Sequence, residues 1–157
     1  MAHASTGTPA TVTRAGLLRR LGAMVYDGLL LLALLMVATG LFLPFTGGEA
    51  ISPRDDPALE FVYRAVLLLL TLGFFGIFWT RRGQTLGMAS WRVRVEREDG
   101  ALLGWGDALR RLVAAVLSWL PLGLGFLWIL VDPQRRAWHD RLSRTRVVVV
   151  PKGAGRR

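Results

Sequence analysis

Apolar and polar residues alternate along the chain in long blocks rather than at the short period of a soluble fold. Three blocks dominate, at about 21–45, 61–79 and 112–131, each near the length that crosses the ~30 Å hydrocarbon core as a helix. Pro44 and the Gly47-Gly48 pair close the first, and Trp79 closes the second. Pro121, Gly123 and Gly125 interrupt the third, dividing it into Leu112–Leu120 and Pro121–Val131, half-helices reaching roughly 13 and 16 Å. Between the second and third blocks, Trp91 to Glu96 alternates with period two, and Asp99-Gly100 is a turn signal before Ala-Leu-Leu, predicting a short hairpin. The run Thr145–Val150 predicts a further strand, and Asp107 predicts an acid in the first turn of the helix that enters the third block. The expected fold is mainly α: a helical integral membrane protein with two spanning helices, a third apolar segment and a small β-sheet.

Composition agrees: 52% of residues are hydrophobic and mean hydropathy is +0.39, too apolar for a soluble domain of 157 residues. The first block is longer than a signal-peptide core and no small-residue cleavage site follows it, so it is expected to stay as an anchor. No cysteine is present, and no nucleotide loop, metal-ligand cluster or nucleophile elbow is legible. No enzymatic activity, metal or cofactor is therefore expected.

The formal charge of +9 points to the membrane rather than to nucleic acid, because the basic residues cluster beside the apolar blocks, where they set topology and attract anionic lipid headgroups. Residues 46–60 hold one arginine against four acids, and residues 80–111 hold seven arginines against four. The positive-inside rule then places the N-terminus in the cytoplasm, the acidic loop outside and 80–111 inside, as in a multi-pass protein of the cell membrane. Residues 132–157, with eight basic residues against two aspartates, also belong inside. That conflicts with a third full span. A re-entrant third segment removes the conflict and lets both strands share one sheet, whereas a single kinked span is the competing arrangement. Residues 1–13 are expected to be a disordered tail, 14–150 the membrane domain, and 151–157 a basic tail.

Asp27 lies roughly 9 Å along the helix from Leu21, at a depth where a carboxylate costs about 2.5–3.5 kcal/mol to insert. A functional acid and a solvated or paired structural one are the two readings. Arg20 is two turns away on the same face, about 10 Å along the axis, too far for an assured direct pair. If the third segment is re-entrant, Asp140 and Arg136 come to the mouth of the first helix. Arg20 is then expected to pair with Asp140, leaving Asp27 for a mobile cation or proton, or for Arg136. His139 is read either as a proton relay, since histidine titrates near neutral pH, or with Asp140 as a helix-end hydrogen bond that fixes the segment.

These residues resemble a known pattern. Arg20 and Asp27 in the first helix, Gly83-Gln-Thr-Leu-Gly87 after the second, and Asp132-Pro133, Arg136, His139-Asp140 and Thr145 near the end are similar to the signatures of the RDD family of bacterial membrane proteins. The resemblance covers about residues 14–150. It implies one arginine and two aspartates as the family residues: Arg20, Asp27 and Asp140, with Asp132 as the alternative second aspartate. It also implies transport of a small solute or ion, with cation/proton exchange for some members; because two or three spans leave little room for an enclosed pathway in one protomer, a homo-oligomer or a partner membrane protein is expected. Met88 stands where members often carry lysine, and Arg144 where they carry glycine. The competing functional class is a structural, assembly or regulatory membrane component.

Overall fold

The computed structural model describes residues 13–49 and 56–151; the expected tails, apart from Thr13 and Pro151, and the middle of the acidic loop lie outside the described residues. Helix α1 spans Leu17–Phe42 and α2 spans Pro57–Arg81. A 3-10 turn through Pro44 and a left-handed Gly47 end the first. Asp56 caps the second, accepting from the Leu59 N–H at 2.9 Å, and Pro57 takes the first helical position, where a missing N–H costs nothing. With 26 and 25 residues the two helices are about 39 and 37 Å long, enough to cross a bilayer with tilt. Both are long and apolar enough to be membrane spans. Few of their apolar side chains are buried within the chain, and many, among them Leu29, Met36, Leu41, Phe61 and Leu69, face outward, as hydrocarbon contact demands.

The third segment is a broken helix. Helix α4, Trp105–Trp119, and the pair formed by α5, Leu124–Leu127, with a 3-10 turn over Trp128–Leu130 meet at a bend of 107°. Leu122 and Gly123 both take positive φ at the break. Gly125 permits the fold-back, since a Cβ there would sit 2.7 Å from Ser118 Cα. Gly76, near the end of α2, lies against Trp105 at the start of α4. At the other end of the segment, the Gln134 carbonyl accepts from Arg14 at 2.8 Å. The segment therefore starts beside the end of α2 and finishes beside the start of α1, and its bend is that of either expected arrangement, a re-entrant loop or a broken span.

At that end lies the small sheet. Strand β1, Val93–Arg97, pairs antiparallel with β2, Thr145–Val149, in the register Val95 to Val147, and Arg14 adds an isolated bridge to Val148. Val93, Val95 and Val147 turn inward onto Ala23, Trp79, Met88 and Ala108, forming the buried core. The expected hairpin from Trp91 through Ala-Leu-Leu is corrected: the turn at Gly100 forms, but residues 101–103 make no strand. Leu103 is drawn into the core instead, and Gly104 must open α4 at once, with Asp107 accepting from its N–H at 3.0 Å. Two short helices complete the cap: α3, Leu86–Ser90, and α6, Trp138–Leu142.

Candidate functional site

Asp140 is fully buried and held by two guanidiniums. Oδ2 accepts from Arg20 Nη1 at 2.5 Å and Oδ1 from Arg111 Nη1 at 2.7 Å. Oδ2 also accepts from the Ala137 N–H at 3.1 Å, so the carboxylate caps α6. Arg20 is fully engaged, with Nε donating to the Ala15 carbonyl at 3.2 Å and Nη2 to the Arg135 carbonyl at 3.0 Å. Arg111 donates as well to the Thr145 hydroxyl and stacks over Trp79, 5.4 Å from the ring centroid. The pair of Arg20 with Asp140 is the one the charge pattern predicted. Asp132 is not part of it: its carboxylate accepts from Arg141 at 2.5 Å and from the Arg136 N–H at 2.7 Å.

Arg111 escaped sequence reading because it follows Arg110 at the edge of an apolar block, where an arginine reads as an interface anchor. Helical spacing held the signal: Ala108, Arg111, Ala114 and Ser118 make one buried stripe on α4, and only Arg111 on it is charged. Arg110, on the other face, pairs with Asp107 at 2.6 Å.

Asp27 is buried and stands apart from this cluster. Its carboxylate accepts from the Thr85 hydroxyl and from the Gly87 N–H at 2.9 Å, while Thr85 caps α3 through the Met88 N–H at 3.2 Å. The Gly83–Gly87 motif thus supplies the partners of Asp27 within the chain, which corrects the alternative of a pair with Arg136. Arg136 reaches Glu98 instead. The motif divides in two: Gly83 makes the turn after α2 with φ +67°, and Gly87 brings α3 against α1. A Cβ on Gly87 would lie 2.4 Å from the Ala23 carbonyl oxygen and 2.8 Å from Asp27 Oδ1. Gly87→Ala is therefore expected to lose about 1–3 kcal/mol by forcing the two helices apart. Gly106→Ala, where an added Cβ meets nothing within 4 Å, is the control. Equal thermal unfolding of the two variants in detergent would contradict this packing.

His139 is buried beside Asp140, with Nε2 3.4 Å from Oδ1 and its ring centroid 4.6 Å from that of Phe126. Nδ1 has no hydrogen-bond partner among the described residues. Burial above all, then the Arg111 charge, pushes its pKa down from 6.5 to about 3, and Asp140 only partly opposes this. The imidazole is neutral at physiological pH, so a relay that titrates near neutrality does not fit this environment. For Asp140 burial works against ionisation, but Arg111 and Arg20 more than offset it and hold the carboxyl well below its ordinary range.

Arg20, Asp27, Arg111 and His139 form the polar edge of a cavity of about 310 Å³, walled by Met24, Phe75, Leu112 and Trp119. Val116 and Trp119, which also line it, are exposed. Among the described residues no three or more His, Asp or Glu side chains come together to hold a metal.

Neither a curated protein nor a solved structure matches the chain. The model of the RDD family matches residues 14–144, from the arginine bridged to Val148 through α1, the helix α3 bound to Asp27, and Asp140. The chain belongs to the RDD family of membrane proteins.

Proposed function

We propose that the protein is a non-enzymatic carrier of a small solute or ion in the cell membrane, with its N-terminus in the cytoplasm. The observation that carries this reading is the cavity, in which Asp27, two guanidiniums and the His139 ring border an otherwise apolar wall. Arg20 and Arg111 share the single carboxylate of Asp140, leaving one uncompensated positive charge at that edge. At an effective dielectric of 20, such a charge opposes a cation about 6 Å away by about 3 kcal/mol. A cation would therefore be taken at the Asp27 edge, by joining or displacing the donors from Thr85 and Gly87; a solute carrying acceptor groups would meet the arginines. Two long helices with so little mutual burial enclose no pathway alone, so the transporting unit is a homo-oligomer or includes a partner membrane protein.

A second reading has its own support. Arg20, Asp27 and Asp140 all have hydrogen-bonded partners within the chain, as expected of charges that only lock the cap onto the helices. Proteoliposomes loaded with a pH-sensitive dye separate the two. Under a sodium or potassium gradient, and with a panel of labelled small solutes, the carrier reading expects flux in the parent. It expects flux at least about tenfold lower in Asp27→Asn and in Ala115→Phe, which fills the cavity. Equal flux in parent and variants, with oligomer lost in Asp27→Asn, supports the structural component instead.

A further inference from the structure

A second cleft, about 760 Å³, opens between the start of α1 and the turn that follows the third segment. Arg14, Arg19 and Arg135 line it, and among the described residues no acidic side chain does. Two of the three are fixed in place. Arg14 is bridged to Val148 and donates from Nη1 to the Gln134 carbonyl at 2.8 Å. Arg135 is anchored by its backbone, its N–H donating to the Asp132 carbonyl at 2.8 Å and its own carbonyl accepting from Arg20 at 3.0 Å. Among the described residues none of the three has a carboxylate within 4 Å, whereas the neighbouring Arg20, Arg136 and Arg141 are all paired. Three guanidiniums around one cleft repel one another unless an anion joins them, and their planar donor forks match phosphate oxygens.

The rim says which anion. Leu18 is 80% exposed and Leu130 68% exposed, and both line the cleft. They continue the outward apolar surface of α1 and of the third segment, so a ligand seated on the arginines has hydrocarbon contact directly beside it. A free phosphate or a nucleic acid backbone leaves that surface uncovered. We propose that this cleft binds the headgroup phosphate of an anionic phospholipid, with the acyl chains running down over Leu18 and Leu130. The cleft shares no lining residue with the cavity bordered by Asp27, Arg20 and Arg111, and it does not depend on the carrier reading.

The test uses the full chain in zwitterionic detergent, with native mass spectrometry counting bound ligand. The probes are short-chain phosphatidylglycerol, the matching phosphatidylcholine, and glycerol phosphate as the headgroup without chains. A basic residue near an anionic lipid is worth about fivefold in affinity, so the three together predict about 100-fold preference for phosphatidylglycerol. Arg14→Gln/Arg19→Gln/Arg135→Gln is expected to erase that preference. Arg81→Gln/Arg82→Gln/Arg94→Gln, which removes the same charge elsewhere, is expected to keep it. Equal retention of the two lipids, equal loss in both triple variants, or glycerol phosphate bound as tightly as the lipid would each overturn the proposal. Thermal unfolding of both triple variants guards against loss of fold: a cleft variant that melts with the parent yet still prefers phosphatidylglycerol also overturns it.

Discussion

Asp140→Asn is expected to destabilise the protein by about 3–5 kcal/mol, the cost of leaving buried charge without its partner. The substitution keeps the shape of the side chain and the Ala137 cap, but it strips the one carboxylate from Arg20 and Arg111, which are 8% and 6% exposed. Two guanidiniums are then buried side by side with no counter-charge. In detergent the unfolding midpoint should fall by about 10 °C or more. The same change made in an Arg20→Met/Arg111→Met background should cost far less, because the charges it would orphan are already gone. A midpoint in Asp140→Asn within a degree or two of the parent would show that the cluster is solvated rather than buried. The pH dependence has a fixed sign. Asp140 is held below the ordinary aspartate value of 3.8, so its stabilisation is complete above that value and is lost only as pH falls beneath it.

Much of this architecture was readable in the chain, because its coarse features come from length, apolarity and charge. The Leu-rich runs, Pro44 with Gly47, and Pro121 with its glycines set the helices and the bend. The basic count of residues 132–157 brought Asp140 to Arg20 across 120 positions. Charge counting sees only ions, however. The partners of Asp27 are a hydroxyl and a backbone N–H, some 60 residues away and electrically silent in the sequence. Arg111 was hidden for the opposite reason: with nineteen arginines in the chain, one more beside an apolar block carries little information until its helix face is drawn. The hairpin failed on competition. A good turn at Gly100 lost its second strand because Leu103 gains more by burial and Gly104 is needed to begin α4.

Acidification from pH 7 to 4.5 is expected to cost about 2–3 kcal/mol of stability through His139 alone. The unfolded histidine takes up a proton near 6.5, whereas the folded one, buried and facing Arg111 and Arg20, holds off until about 3. Between those values the unfolded chain carries a proton that the folded chain does not. Stability therefore falls as pH falls, by up to about 1.4 kcal/mol per unit. The loss begins near 6.5, well above the region where Asp140 titrates, so the two contributions separate on the pH axis. His139→Leu should flatten the profile between 6.5 and 4.5. A profile that is flat in the parent, or equally steep in His139→Leu, would mean that the imidazole meets solvent and titrates in the folded state. It would then recover the near-neutral pKa that a proton relay requires, and the cavity beside it would have to be wetter than its apolar wall of Met24, Phe75 and Leu112 implies.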